Sequence, residues 1–253
     1  MDFTIDKYIQ FSDALKRHGA HARMYHDVDR HPAYALRIAE TECAMGWFTT
    51  YYFRSLHFSS HAGIIRAVAA LGHNIGYHYE SLATCRGNID AAYADFCRNL
   101  AELRRLAPVH TASAHGTPRS PWDSQEIWRH HDIHRLDIDY EPKLDTDFSR
   151  TIYLTDTGRR WDGYHVNVWD KVPGHQQQWE REGLIFHSTD DIICALTTPG
   201  HPVNRHSLLV NTHPQRWMPF GTAWIAEALT QRIKNTAKWI LIQHKSLGAK
   251  KKN

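Results

Sequence analysis

No stretch of this chain approaches the run of apolar residues needed to cross a bilayer, and Met1-Asp2-Phe3-Thr4-Ile5-Asp6 turns acidic at once without an apolar signal region. Neither a transmembrane segment nor a secretory signal is expected, and a cytoplasmic location is the expectation that follows. Cysteine is scarce. Cys43, Cys85, Cys97 and Cys194 stand apart with no Cys-x-x-Cys pair, which fits small, reduced, buried thiols and speaks against a thiolate zinc or redox motif. An excess of one charge is lacking too: 30 Lys+Arg face 27 Asp+Glu for a net +3, and the dense basic run is confined to Lys250-Lys251-Lys252. No nucleic-acid groove is expected, although the tail at 248–253 offers a peripheral contact with an anionic membrane surface. His-Glu-x-x-His, Gly-x-Ser-x-Gly, the phosphate-binding Gly-x-x-x-x-Gly-Lys loop and the dinucleotide fingerprint are all missing. Zinc-helix proteases, serine esterases, P-loop enzymes and Rossmann dehydrogenases therefore lose support.

There is no internal repeat and no Ser/Gly/Pro-rich linker, so the 253 residues read as a single domain, 1–253. What the chain has in excess is histidine, twenty in all, beside nine tryptophans and eleven tyrosines. Histidine binds metals and moves protons near neutral pH, and exposed aromatics make platforms for sugar rings. Composition does not choose between these uses.

Apolar or β-rich runs at Ala22 to Val28, Phe48 to Phe53, Asn74 to His78, Val109 to Ala114, Thr151 to Leu154 and Leu208 to Asn211 predict strands. Helices are predicted over Pro32 to Met45, Gly63 to Leu71, Asn88 to Leu106 and Thr222 to His244, the first two punctuated by Pro32 and by Gly46 and Gly72. Strand followed by helix, repeated, implies an α/β fold with a largely parallel sheet and right-handed crossovers. The region from Arg135 to Pro199 carries weaker signals and is expected to hold loops and short strands.

Four predicted strand ends carry polar clusters. Asp27 and Asp29 are two apart, so alternation sends both carboxylates to the same side of the strand. So close a pair resists joint ionisation unless a cation or a shared proton relieves it, and a metal ion is the economical answer. The blander alternative is one Asp capping the helix near Pro32 and one in solvent. His78 leaves the third strand, His115 the fourth and His213 the last. Any one of these histidines would more often be structural; four strand ends bearing Asp/Asp, His, His and His make coincidence less attractive. His73, by contrast, belongs to a turn entering its strand and reads as a satisfied, partly buried histidine. Tyr79 and Glu80 follow His78 closely enough to line the same crevice. Arg160 and Trp161 sit in a polar loop where a guanidinium can grip an anionic group and an indole can stack on a sugar, or where both are ordinary surface and packing residues. For Trp217 packing is the better reading.

These residues resemble a known family. The run His26-Asp27-Val28-Asp29, the Pro32 to Gly46 helix leading into Thr49-Thr50-Tyr51-Tyr52-Phe53-Arg54, the Gly72 to Glu80 run, Ala114-His115-Gly116, the Tyr153 to Trp161 run and the His213 segment are together similar to the polysaccharide deacetylases. That is the carbohydrate esterase group with the NodB-type fold, here particularly a branch found in surface-polysaccharide biosynthesis. The resemblance implies a distorted, largely parallel (β/α) barrel of about seven strands and metal-dependent removal of an N-acetyl group from an amino sugar. By position Asp27 matches the general base and Asp29 the metal-binding aspartate. His78 matches the first histidine of the metal-binding His-x-x-x-His motif, and His213 the late histidine that protonates the leaving amine.

One position departs from that pattern. Leu82 occupies the place of the second histidine, and an aliphatic side chain binds no metal. His115 is the first candidate to complete the ligand set and Glu80 the second. Asp29, His78 and one substitute would leave positions open for water and a carbonyl. Zinc is the metal expected of a mixed carboxylate and imidazole set, with cobalt and manganese as alternatives. The substrate implied is a carbohydrate on a nucleotide-linked or lipid-linked precursor. Two other readings stand beside this one: a deacetylase-like saccharide-binding or assembly protein with a degenerate metal site, and a hydrolase of an ester or another N-acyl group.

Overall fold

The computed structural model describes residues 1–117, 120–165, 167 and 169–250, with side chains for all of these but 20, 238 and 240–250. Pro118, and residues 251–253 of the basic tail, lie outside the described residues. Helix α1 (Ile5–His18) leads into strand β1 (Ala22–Val28), after which α2 (Pro32–Ala44), β2 (Thr50–Phe53), α3 (Ala62–Ala70) and β3 (Asn74–Tyr79) alternate. The short α4 (Ser81–Thr84) and the long α5 (Ile89–Arg104) precede β4 (Val109–Ala114). Beyond a region of short 3-10 turns come β5 (Thr151–Thr155), α6 (Pro173–Arg181), α7 (Thr189–Thr197), β6 (Ser207–Thr212) and α8 (Thr222–Lys250).

All neighbouring strands run parallel, in the order β4-β3-β2-β1-β6-β5. That is the cyclic order of a barrel opened between β4 and β5. The sheet has six strands where about seven were expected, and among the described residues it does not close. The chain between β4 and β5 touches β4 through a bridge from Thr111 to Tyr140. The six predicted strands are all present, within two residues at each end. In the region 135–199 the short strand β5 lies where it was expected, whereas α6 and α7 were not expected. For α7 the signal was in the sequence: Ser188 and Asp191 form a reciprocal capping box. Helix α1 is likewise capped by Thr4, whose side chain accepts from Lys7 N.

Alternation along the strands sorts side chains between two layers. On β1, Tyr25 and Asp27 face the inside of the curved sheet while His26 faces α2 and α1. On β3, His78 faces inward with Gly76, whereas Tyr77 and Tyr79 pack outward against Phe96 of α5. Gly76 is required by close approach: a Cβ there would stand 2.3 Å from the ring of Tyr52. The outer layer holds the apolar core, including Phe11, Leu15, Ile38, Phe96, Leu100 and Val210, each contributing roughly 1.5–3 kcal/mol of burial. The inside of the sheet is left to polar groups, and these gather where the strands end.

Candidate active site

Parallel strands present their carboxyl ends on one side, where loops can carry chemistry without breaking the sheet. β1 pairs with β2 on one flank and β6 on the other, so Asp27 and Asp29 stand at the centre of the row. β3 brings His78, the chain just past β4 brings His115, and the chain just past β6 brings His213. The distances are short. His115 Nε2 lies 3.2 Å and His78 Nε2 3.4 Å from Asp29 Oδ1, and His213 Nε2 lies 3.6 Å from Asp29 Oδ2. His78 Nδ1 is also 3.6 Å from Asp27 Oδ1.

Asp29, His78 and His115 each offer one ligand atom, all within 4.8 Å of one another. Their hydrogen bonds prepare them for a cation. His78 Nδ1 lies 3.0 Å from the carbonyl of Ser113; a proton there leaves the Nε2 lone pair facing Asp29. His115 Nδ1 lies 3.3 Å from Thr117 Oγ1 and 3.5 Å from Glu80 Oε2, which turns its Nε2 inward in the same way. Outer partners of this kind orient imidazole ligands in metal sites. Asp29 Oδ1 is buried yet accepts no hydrogen bond, and neither does Asp27 Oδ1. Buried carboxylate oxygens without donors are costly, and a cation held by Asp29, His78 and His115 would satisfy this arrangement. The residues present therefore fit a divalent metal.

The electrostatics separate the two carboxylates. Burial, reinforced by the charges of Asp29 and Asp170, holds the Asp27 carboxyl well above the usual range, against a hydrogen bond from Asn211 and the charge of Lys143. For Asp29 burial acts in the same upward sense, but His115, His78 and His213 outweigh it and hold the carboxyl well below the usual range. Burial pushes His78 down to about 4, with His115 adding to the effect and Asp29 opposing it. Asp27 is thus the stronger proton acceptor of the two, and Asp29 is held as an anion.

His213 is held from behind. Its Nδ1 lies 2.7 Å from Asp156 Oδ1, and its backbone N–H donates to Asp156 Oδ2 at 3.0 Å. The same carboxylate, fully buried, accepts from Arg216 Nη1 at 2.5 Å and from Trp217 Nε1 at 2.8 Å. These contacts aim Nε2 of His213 at the cluster. Asp27 has its own support: Asn211 Nδ2 donates to Asp27 Oδ2 at 2.8 Å and lies 3.2 Å from Tyr153 Oη, which donates to Asp170 at 2.5 Å. Thr155 and Thr157 also donate to Asp170, and Lys143 stands 3.8 Å from it.

Asp27, Asp29, His78, His115 and His213 are brought together as the sequence suggested. Four other candidate residues are not brought among the ligand atoms. Tyr79 does not line the crevice: it is fully buried on the outer face, where its hydroxyl accepts from Trp128 and approaches Glu141. Strand alternation makes this unavoidable once His78 faces inward. Trp161 is a core residue, stacked near Phe3, Phe11 and Trp217 with its indole N–H on Thr189. The Arg160 guanidinium is committed to Asp162 at 2.6 Å. Glu80 is held by Arg54 at 2.5 Å and stands behind His115 instead of among the ligand atoms. Leu82 points elsewhere altogether, packing with Ala92 and Ile127, so its position provides no opening toward Asp29, His78 and His115. His73 is buried and satisfied by Thr49 N and Ala39 O. The sequence reading missed Asn211, Asp156, Arg216 and Asp170 as supports. Asp156 and Asn211 each sit within a residue of a predicted strand end or just beyond one, which was the available signal.

No family model matches the chain, and no curated protein matches it. Among solved structures, one similar chain is PdaA of Bacillus subtilis, a family 4 carbohydrate esterase, at 11% identity and a TM-score of 0.41, covering 89% of this chain and 83% of that one. Another is a mutant CE4 family pseudoenzyme with restored enzymatic activity, at 13% identity and a TM-score of 0.41, covering 86% of this chain. This chain spans 62% of that protein's length. A third is the peptidoglycan deacetylase PdaC from Bacillus subtilis, at 9% identity and a TM-score of 0.39, covering 88% of this chain and 96% of that one. Superpositions this loose transfer no residue roles and no activity.

Proposed function

We propose that this chain is a divalent-metal-dependent hydrolase that removes an N-acyl group, foremost N-acetyl, from an amino sugar. The observation that carries the proposal is the convergence of Asp29, His78 and His115 beside a second, unpartnered carboxylate oxygen on Asp27. The amino-sugar substrate extends the resemblance carried by His26-Asp27-Val28-Asp29 and the His213 segment, as does a place in cell-surface polysaccharide assembly on a nucleotide-linked or lipid-linked precursor.

Asp29, His78 and His115 would hold the metal. When bound, it supplies Lewis acidity, polarising the amide carbonyl and making water a better nucleophile; zinc is the leading candidate, with cobalt or manganese able to use the same ligands. Asp27 takes the proton of the attacking water at Oδ1, while Asn211 fixes its other oxygen. An elevated carboxyl pKa makes it a stronger base than an ordinary aspartate. His213 gives a proton from Nε2 to the departing amine. Asp156, itself clamped by Arg216 and Trp217, holds the imidazole in the required orientation. His115 standing among the ligand atoms supports the enzyme reading over a saccharide-binding protein with a degenerate site.

The test is acetate release from N-acetylated amino sugars, both free oligomers and sugar nucleotides, using protein stripped with chelator and then given zinc, cobalt or manganese. Release that requires the metal is expected. No release from any of these substrates under any metal would overturn the proposal.

A further inference from the structure

Helix α8 is built inside out. Ile225, Leu229 and Ile233 recur every four residues and so form one stripe, yet they are 45%, 55% and 72% exposed. Trp239 and, just before the helix, Phe220 are also exposed. The side turned to the protein is the polar one: Trp224 Nε1 donates to Asp2 O at 3.2 Å, and Asn235 Nδ2 donates to Gly158 O at 2.8 Å. Arg159 stacks on the Trp224 ring at 4.2 Å. A helix that spends its polar face on its own protein and leaves its apolar face in water calls for an apolar partner.

Charge identifies the partner. Residues 222–253 carry seven Lys/Arg and a single acidic residue, Glu227, although the whole chain has a net charge of only +3; the preceding residues are therefore net negative. A second copy of so basic a segment would be repelled, whereas an anionic lipid surface attracts it. The described residues include no helix long and apolar enough to cross a membrane, so the geometry suits lying on a bilayer and not spanning it. Aromatic rings at Phe220 and Trp239 favour the headgroup boundary. We propose that α8 is an interfacial anchor, lying along an anionic phospholipid bilayer with Ile225, Leu229, Ile233 and Trp239 at the acyl boundary and drawn there by the positive charge of the segment.

The full chain is sedimented with vesicles of phosphatidylcholine alone and of phosphatidylcholine mixed equally with phosphatidylglycerol. Binding to the anionic vesicles is expected to be at least about tenfold tighter than to the neutral ones and to weaken with added salt. The exposed-face double variant Leu229→Asp, Ile233→Asp is expected to lose at least about tenfold in that binding while keeping its thermal midpoint. Absence of pelleting with either vesicle would overturn the proposal, as would equal binding to both. A dimer seen by sedimentation velocity, abolished by the same substitutions in a protein that ignores vesicles, would show that a second copy covers the stripe and would overturn it as well. Vesicle binding is read without any substrate, so anchoring and hydrolysis succeed or fail separately.

Discussion

Two carboxylates in this protein are surrounded by imidazoles, and they are treated in opposite ways. Glu42, on the inner face of α2, is fully buried and fully satisfied: Tyr8, His26, Thr49 and Tyr51 all lie within 3.1 Å of its two oxygens. His26 in turn reaches Thr212 of β6 at 2.6 Å, so the group ties α1, α2, β1, β2 and β6 together. Asp29, one layer away on the other side of the sheet, has three imidazoles between 3.2 and 3.6 Å but leaves Oδ1 without a hydrogen bond. The first carboxylate is internal structure with its bonding complete. The second keeps bonding capacity for something that arrives from outside, and a site is recognised by that incompleteness.

The contrast makes unequal demands on mutants. Replacing Asp29 with Ala should abolish acetate release and metal uptake while lowering the thermal midpoint of the metal-free protein far less than the loss of Glu42 does, because Asp29 is half-buried and its Oδ1 accepts no hydrogen bond. A large loss of stability in that variant would make Asp29 a second Glu42. The Asp27→Asn change should lower kcat by about 10²–10⁴-fold, the range for a lost general base, with metal still bound; full activity would remove Asp27 from the chemistry. Glu42→Ala should behave in reverse, costing about 3–5 kcal/mol because His26 and three hydroxyls lose a buried partner. A denaturant titration measures this, and the activity of the molecules that remain folded should persist.

Acid should sharpen the comparison. The folded protein holds the His78 pKa down to about 4, below the usual imidazole value of about 6.5. The neutral form is favoured by folding, so this histidine favours the native state above the unfolded value and costs stability progressively as pH falls from about 6.5 toward 4. Glu42, lowered by His26 despite burial, contributes stability above the ordinary carboxylate range and loses it only as pH falls through its depressed folded value. Metal-free protein should therefore weaken first through His78, and His78→Gln should flatten that part of the stability curve; an unchanged slope would place its cause elsewhere. The smallest effect belongs to Leu82→Met, expected to cost less than about 1.5 kcal/mol and to leave metal uptake as it was. Lost uptake would bring Leu82 back to the metal site.

The strands were legible because β-branched and aromatic runs with sharp polar boundaries mark them locally, from Ala22–Val28 through Ser207–Thr212. Helix α6 was not, since its polar sequence Pro-Gly-His-Gln-Gln-Gln-Trp-Glu-Arg buries little beyond Trp179. The carboxylate pair was legible from spacing alone. Tyr79 adjoins His78 in sequence yet faces away from it, because one step along a strand reverses the face.

The sequence by itself determined the alternation of strand and helix, the pair Asp27 and Asp29, and histidines at three further strand ends, because backbone periodicity and turn chemistry are local properties. Only the tertiary structure decided that His115 joins Asp29 and His78 while Leu82 packs against Ala92, and that β6 sits beside β1 so that His213 reaches the same carboxylate. It also decided that Asp156 and Arg216 stand behind His213, and that α8 turns Leu229 and Ile233 to solvent. Those outcomes depend on strand order and on which neighbour each face meets, and both are settled by packing between segments far apart in the chain.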